Sequence, residues 1–143
     1  MFMGEYSHTL DSKGRLIIPA KFRNQLGEKF VVTRWMEHAL RVMPMPIWEK
    51  LEKQLNELPL GKKEARQFKR FVMAGAMAAE VDKQGRIIMP SNLKDYAGLE
   101  KDVTVTGSGD SFEIWSSENW HDYTLATAND FDEIAEGLVD FDF

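Results

Sequence analysis

The sequence contains no cysteine, which excludes disulfide bonds, zinc-thiolate sites and cysteine nucleophiles. Its histidines, His8, His38 and His121, are too widely separated to match the spacing of metal ligands. The longest apolar run, residues 71–79, falls far short of the roughly 20 residues that cross a bilayer. We therefore expect a cytoplasmic protein with no metal, no cofactor, no contact with a membrane and no small-molecule substrate.

Positive charge is missing from the C-terminal part of the chain. From Glu118 onward there are 8 carboxylates and no Lys or Arg, whereas residues 1–76 hold 14 Lys and Arg against 8 Asp and Glu. The 143 residues, 43% hydrophobic and 29% charged, have the composition of about one folded domain. The charge asymmetry fits either nucleic-acid contact by the basic part or an ordinary solubilising surface.

One short loop occurs twice in the sequence. "LDSKGRLIIP", residues 10–19, returns 71 positions later as "VDKQGRIIMP", residues 81–90. The match extends into the flanking sequence, so that each copy covers roughly 40 residues. A unit of this size rarely buries enough apolar surface to be stable alone. We therefore expect the copies to interleave around a pseudo-two-fold axis and to share one core.

Each copy predicts the same order of elements: strand, strand, short helix, strand, strand and amphipathic helix. Aspartate and glycine at the first and fourth positions of "DSKG" and "DKQG" fit a type I turn in a hairpin, with the glycine left-handed. Pro19 and Pro90 fit the starts of the short helices, and Gly27 and Gly98 fit their ends. Longer helices are predicted at residues 47–58, 62–78 and 117–125.

The repeat divides the chain into four parts. A first unit covers residues 5–48, a helical connection covers 49–76, a second unit covers 77–120 and an acidic tail covers 121–143. The predicted core consists of Trp48, Trp120, Phe22, Leu26, Leu16, Ile18, Ile87, Met89 and Val103.

Together these features resemble the MraZ family of bacterial regulators, which is built from two SpoVT-AbrB-type units. The resemblance rests on the two D-x-x-G-R motifs, each followed by an apolar run, on the opening "MFMGEYSHTLDSKGR" and on "PLGKKEARQFKRF". It implies an α+β fold in which two pseudo-symmetric swapped-hairpin units form one barrel with flanking helices. It also implies a homo-oligomeric ring that binds short G-rich direct repeats in double-stranded promoter DNA of the division and cell-wall gene cluster, in association with the nucleoid.

The resemblance places the arginines of the two motifs, Arg15 and Arg86, at the DNA surface. Arginine can donate two hydrogen bonds to O6 and N7 of guanine, and a two-stranded ribbon fits the major groove. Lys13 and Lys83 supply further cations for phosphate contact. We expect the first loop to be the main reader, because it has Lys13 where the second loop has Gln84 and because its half of the chain is basic.

The remaining motif residues, Asp11, Gly14, Asp82 and Gly85, are expected to shape the loops. Each aspartate can accept hydrogen bonds from turn N–H groups and pair with the arginine four residues later. This pairing leaves open that the arginines only close the turns, and Arg86 could instead face a neighbouring subunit. The basic run fits a solvated helix face, with phosphate or subunit contact as the alternative: Lys62, Lys63, Arg66, Lys69 and Arg70.

Two other classes of function compete with DNA binding. An enzyme is not indicated, because no P-loop, metal cluster or positioned base accompanies the motifs. The alternative is an antitoxin-like module that binds a protein through the tail at residues 130–143, where acids and hydrophobes alternate. The tail hydrophobes at helical spacing would equally fit a neighbouring subunit of a ring: Phe131, Ile134, Leu138 and Val139.

Overall fold

The computed structural model describes residues 1–140 and 142, so Phe141 and Phe143 of the predicted acidic tail lie outside the described residues. The first copy of the repeat contains β1 (Glu5–Thr9), β2 (Arg15–Ile17), α1 (Ala20–Leu26), β3 (Phe30–Arg34), β4 (Leu40–Pro44) and α2 (Met45–Asn56). After α3 (Lys63–Gly75), the second copy contains β5 (Met77–Ala79), β6 (Arg86–Ile88), α4 (Ser91–Ala97), β7 (Asp102–Gly107), β8 (Phe112–Ser116) and α5 (Ser117–Glu136). The α+β class and the predicted order of elements are confirmed, except that the helix expected over residues 62–78 ends at Gly75 and is followed by β5.

The helix ends follow from local sequence. Pro19 and Pro90 directly precede α1 and α4, where a missing N–H leaves no hydrogen bond unmade, and a glycine directly follows each helix. α5 begins differently, because Ser116 Oγ accepts a hydrogen bond of 3.0 Å from the N–H of Asn119. It also extends to Glu136, well beyond the predicted end at Leu125, since the sequence has no proline or glycine before Gly137.

The strands of the two copies pair with each other. The main antiparallel sheet has the order β1-β7-β8-β4-β3-β5, and β2 pairs with β6 in a second sheet. If each strand is replaced by its counterpart in the other copy, the order of the six strands reads the same from the opposite edge of the sheet. The pseudo-two-fold axis therefore passes between β4 and β8 in the main sheet and between β2 and β6 in the second sheet. On this axis Leu16 pairs with Ile87, its own counterpart in the repeat. The copies therefore interleave instead of lying side by side.

The D-x-x-G turns form, but they do not close local hairpins. The N–H of Gly14 donates to the carbonyl of Asp11 at 3.0 Å, and Gly85 makes the same bond to Asp82 at 3.0 Å. Both glycines have positive φ, 75° and 77°. The flanking strands pair elsewhere, β1 with β7 and β2 with β6. The prediction of a local hairpin was wrong. β2 has only three residues, and it buries its apolar side chain, Leu16, by pairing with β6 across the pseudo-two-fold axis.

One main core receives side chains from both copies and from both sheets. Seven predicted core residues lie in it: Leu16, Ile18, Phe22, Leu26, Ile87, Met89 and Val103. Of the two tryptophans, only Trp48 is buried as predicted. Trp48 is buried in a second cluster beside Val72 of α3. Trp120 is only half-buried and packs on Trp115 and Tyr123, because among the described residues no helix covers it as α3 covers Trp48.

Candidate nucleic-acid interface

The first loop, residues 11–15, is built around the carboxylate of Asp11. Its Oδ1 accepts hydrogen bonds from the N–H groups of Lys13 (2.9 Å) and Arg15 (2.8 Å). Its Oδ2 accepts from Nε of Arg15 at 2.6 Å. The carboxylate thus closes the turn and holds the Arg15 side chain at Nε. Among the described residues, Nη1 and Nη2 of Arg15 have no hydrogen-bond partner, so the outer edge of the guanidinium is available for a ligand.

The second loop, residues 82–86, repeats this arrangement with one difference. Asp82 accepts from the N–H groups of Gln84 (2.9 Å) and Arg86 (2.9 Å) and from Nε of Arg86 (2.9 Å). In addition, Nη2 of Arg86 donates to Oε1 of Gln84. The first loop has Lys13 at the equivalent position, and an ammonium group cannot accept a hydrogen bond. Arg86 is therefore held at two points and Arg15 at one.

Both loop carboxylates are stabilised in their ionised form. The hydrogen bond from the backbone N–H of Arg15 lowers the pKa of Asp11, and partial desolvation, which acts in the opposite direction, does not cancel it. The guanidinium of Arg15 and the N–H of Lys13 lower it further. Backbone and side-chain bonds from Arg86, with the N–H of Gln84, lower the pKa of Asp82 in the same way. Each loop consequently keeps its ion pair at neutral pH.

The pairing of β2 with β6 brings both arginines to one face. Arg15 lies opposite Ile88, and Arg86 lies opposite Ile17. Side chains alternate along a strand, so these four point outward while Leu16 and Ile87 point into the core. Arg15 and Arg86 are diagonal neighbours across the ribbon, and the Cα atoms of such neighbours are roughly 7–8 Å apart.

The outward face of this ribbon is accessible to a ligand. The side chains of Arg15 and Arg86 are 27% and 23% exposed. Ile17 and Ile88 are 45% and 67% exposed, which is unusual for isoleucine. Lys13 and Lys83, on the turns at opposite ends of the ribbon, are exposed as well. The four cationic residues predicted from the sequence thus lie on the ribbon or on its turns and are at least partly exposed, whereas the two exposed isoleucines were not foreseen.

A further arginine, Arg23 of α1, lies across the second loop. A Cβ atom on Gly85 would lie 2.1 Å from Nη1 of Arg23, and Nη1 also donates to the carbonyl of Ile18 at 2.8 Å. At Gly14 the nearest atom to such a Cβ would be the Met89 carbonyl oxygen at 3.5 Å. Arg23 was not predicted from the sequence. The signal that could have found it is that the equivalent position of the second copy, Lys94, is also basic.

The family to which this chain belongs follows from comparison of its sequence with models of known protein families. A family model described as "MraZ protein", of antitoxin-like type, matches residues 1–71 and again residues 72–142. The two matches are offset by the same interval as the internal repeat and together cover nearly the whole chain. The chain belongs to the MraZ family.

Individual MraZ relatives are similar over their full length. The transcriptional regulator MraZ of Leuconostoc citreum is 85% identical over 143 residues, 100% of both chains. The proteins of the same name from Leuconostoc mesenteroides and Oenococcus oeni are 74% and 64% identical over 142 residues, 99% of each chain. The solution structure of PHS018 from Pyrococcus horikoshii matches at a TM-score of 0.34 and 18% identity, covering 80% of this chain and 88% of that one.

In residues 1–140 and 142, no group of three or more His, Asp or Glu side chains is arranged to hold a metal ion. No helix within the same residues is both long enough and apolar enough to cross a membrane.

Proposed function

We propose that this MraZ-family chain is a DNA-binding transcriptional regulator that reads DNA with the β2–β6 ribbon. Relatives named transcriptional regulators support the regulatory role. The observation that carries the site is the common outward face of Arg15 and Arg86, each held by its own aspartate. Two preorganised guanidinium groups on one exposed ribbon are a chemically suitable surface for guanine edges.

The ribbon has the dimensions and donors for the major groove. The groove of B-DNA is about 12 Å wide and admits a two-stranded β-ribbon. The free Nη atoms of Arg15 would donate to O6 and N7 of guanine, while Ile17 and Ile88 would contact thymine methyl groups. Lys13 and Lys83 would contact phosphates and so position the ribbon without reading sequence.

The first loop would be the main reader of the two. Arg15 has both Nη atoms free, whereas Nη2 of Arg86 already donates to Gln84. A base contact by that atom of Arg86 would first require this hydrogen bond to break. Lys13 also adds a positive charge next to Arg15, where the second loop has the neutral Gln84.

Binding strength would come from assembly. A single chain presents few cations, and affinity for DNA rises with the number of phosphates neutralised and of linked sites. A ring of several chains would present the ribbon repeatedly to G-rich direct repeats in the promoter of the division and cell-wall genes, at the nucleoid. Repeats spaced by about 10 base pairs would place successive boxes on one face of the duplex.

The architecture would be a swapped-hairpin barrel. The two-stranded ribbon contributes Leu16 and Ile87 to the core, and the six-stranded sheet contributes Val32, Val103 and Ile114 to the same core. A closed barrel would hold the ribbon rigidly at one end of the molecule. Rigidity of this kind limits the entropy that is lost when the ribbon enters a groove.

A second candidate is a protein-binding module of antitoxin type that acts through α5. The observation in its favour is that α5 has no buried residue and exposes Phe131 at 63%. In this alternative, deletion of residues 130–143 abolishes capture of the partner protein and leaves DNA binding and assembly unchanged.

The proposed function is tested with duplexes that differ in the number and phase of G-rich boxes. Fluorescence anisotropy would compare one box, three boxes at about 10 base-pair spacing and three boxes at about 15 base-pair spacing, where the middle box lies on the opposite face. We expect the first three-box duplex to bind at least tenfold more tightly than the others. Equal affinity for one box and for three correctly spaced boxes contradicts the proposal.

A further inference from the structure

α5 carries a largely exposed apolar stripe. The 20-residue helix is about 30 Å long at 1.5 Å per residue, and none of its residues is buried. Residues at helical spacing line an open groove of about 400 Å³, here named the α5 stripe: Trp120, Tyr123, Thr124, Thr127, Ala128 and Phe131. Exposed apolar side chains that line one helix face in this way mark an interaction surface.

The surroundings of the α5 stripe are strongly acidic. α5 carries six carboxylates and no Lys or Arg. Asp130 and Asp132 directly flank Phe131, the most exposed aromatic residue of the stripe. A partner for this surface must therefore combine apolar contacts with positive charge, because like charges would repel it.

α3 presents the opposite combination. An open groove of about 700 Å³, here named the α3 groove, is lined by Arg34, Gln67, Phe68, Arg70, Phe71 and Ala74. Phe68 and Phe71 are 38% and 44% exposed. α3 contains four Lys or Arg residues against the single acid Glu64. This groove thus offers exposed aromatic rings within a basic surround.

The α3 groove is held in shape by contacts within the chain. The guanidinium carbon of Arg34 lies 3.9 Å from the centre of the Phe71 ring, and Nε of Arg34 donates to the Phe71 carbonyl at 3.1 Å. Arg34 fits closely over Gly75, where a Cβ atom would lie 2.6 Å from Nε. Phe71 also packs edge-on against Tyr96. The groove therefore needs little rearrangement to receive a ligand.

We propose that the α5 stripe of one copy of this chain binds in the α3 groove of a second copy. Phe131 inserts beside Phe68 and Phe71, and the flanking carboxylates pair with Arg34 and Arg70. The two surfaces match in both respects, apolar at the centre and opposite in charge at the rim. The occupant is a second copy because the chain itself carries both complementary surfaces, and among the described residues both are open.

This contact is heterologous. Each copy that uses its stripe still has a free groove, so the contact repeats until the assembly closes into a ring. The inference therefore rests on the ring assembly of the proposed function and names the surfaces that form it. The flanking ion pairs are solvent-exposed, so association should weaken as salt is raised.

Two variants, each lacking one surface, test the proposal. The groove variant carries Phe68→Ser and Arg70→Glu, and the stripe variant carries Phe131→Ser and Asp132→Lys. All four positions are exposed, so folding should persist, as thermal melting by circular dichroism would show. Lys63→Glu and Glu133→Lys are the matched charge controls, because Lys63 is outside the groove and Glu133 is about 200° around α5 from Phe131. Masses are measured by light scattering after size exclusion.

We expect the wild type and both controls to have the mass of several chains, and each variant the mass of one. An equimolar mixture of the two variants should have the mass of two chains, because one intact stripe meets one intact groove and growth stops there. Variants that keep the wild-type mass overturn the proposal. So does a mixture that stays monomeric, which would assign these surfaces to an outside partner or to another contact.

Binding to a duplex with one G-rich box separates this proposal from the proposed function. If the wild type is monomeric, both the contact and the ring are wrong, while selective binding of one box that is lost in Arg15→Ala would still support the ribbon as the reader. If the wild type is oligomeric and both variants remain so, only the proposed contact is wrong. The monomeric variants should bind one box as the wild type does, within about twofold, because the β2–β6 ribbon is unchanged.

Discussion

Nε of Arg15 lies 2.6 Å from Oδ2 of Asp11, and the same carboxylate accepts two backbone N–H groups of the turn. One side chain thus shapes the loop and orients the guanidinium. The arginine is held before any ligand arrives, so less conformational entropy is lost when it binds. Structural and DNA-reading roles of the motif are therefore compatible, because the ion pair uses Nε and leaves the Nη atoms free.

Replacement of Gln84 should strengthen the second loop as a reader. Gln84→Ala removes the acceptor of Nη2 of Arg86 and adds no charge, so selectivity for G-rich over scrambled duplexes should rise. One freed hydrogen bond is worth about 1 kcal/mol, which corresponds to about fivefold per loop. Anisotropy titrations measure this ratio. The control is Gln84→Ala in an Arg86→Ala background, which should show no gain in selectivity over Arg86→Ala alone. Unchanged selectivity in Gln84→Ala would contradict the proposed difference between the loops.

Asp11→Asn should destabilise the protein at neutral pH but not in acid. The pKa of Asp11 is lower in the folded chain than its ordinary value, so the ionised carboxylate stabilises the fold above that ordinary value. The contribution begins to fall once the pH drops below the ordinary pKa of aspartate, about 4, and it is lost as the pH passes through the lowered pKa of the folded chain. Urea midpoints at pH 7, 5 and 3 should show a wild-type advantage that shrinks towards pH 3.

The control for this pH dependence is Asp95→Asn, which removes an exposed carboxylate that takes part in no ion pair within the described residues. Its midpoint should follow the wild type at every pH. An Asp11→Asn deficit of the same size at pH 7 and pH 3 would show that the ion pair is not its cause.

Gly85→Ala should be more damaging than Gly14→Ala. Both residues have positive φ, so alanine at either site costs about 1–2 kcal/mol. At position 85 the new Cβ would also displace the guanidinium of Arg23 and break its hydrogen bond to the Ile18 carbonyl, which adds about 1 kcal/mol. Urea unfolding measures both losses. In an Arg23→Ala background the difference between the two glycine sites should disappear; if it persists, Arg23 is not the obstacle.

Leu16→Ala should destabilise the whole protein by about 2–5 kcal/mol, because Leu16 is fully buried on the pseudo-two-fold axis. Both copies share this core, so unfolding should remain a single transition by fluorescence and circular dichroism. Ile17→Ala, at an exposed neighbouring position, is the control and should change stability by less than about 0.5 kcal/mol. Separate transitions for the two halves would contradict a shared core.

Local sequence predicted the parts of this fold that local chemistry determines. Pro19 and Gly27 bound α1 as expected, and Gly14 has the left-handed conformation that its turn requires. The internal repeat indicated a shared core, because a unit of about 40 residues has too little apolar surface of its own.

Strand pairing and tertiary neighbours were not predictable in the same way. Three-residue strands such as β2 and β6 carry too little pattern to specify a partner, and β1 pairs with a strand nearly a hundred residues away. The position of Arg23 across Gly85 depends on how α1 packs on the other copy. The bond between Arg86 and Gln84 likewise depends on a side-chain conformation that sequence spacing does not encode.

The most direct test of the central claim is anisotropy at moderate salt with a duplex of three correctly spaced G-rich boxes and its scrambled counterpart. Wild type, Arg15→Ala and Lys50→Ala would be compared; the last removes an exposed cation from α2, away from the ribbon. We expect Arg15→Ala to lose selectivity by at least about fivefold, since a bidentate arginine–guanine contact is worth about 1–3 kcal/mol. Lys50→Ala should retain it. Equal selectivity in all three proteins would contradict the assignment of Arg15 as the reader.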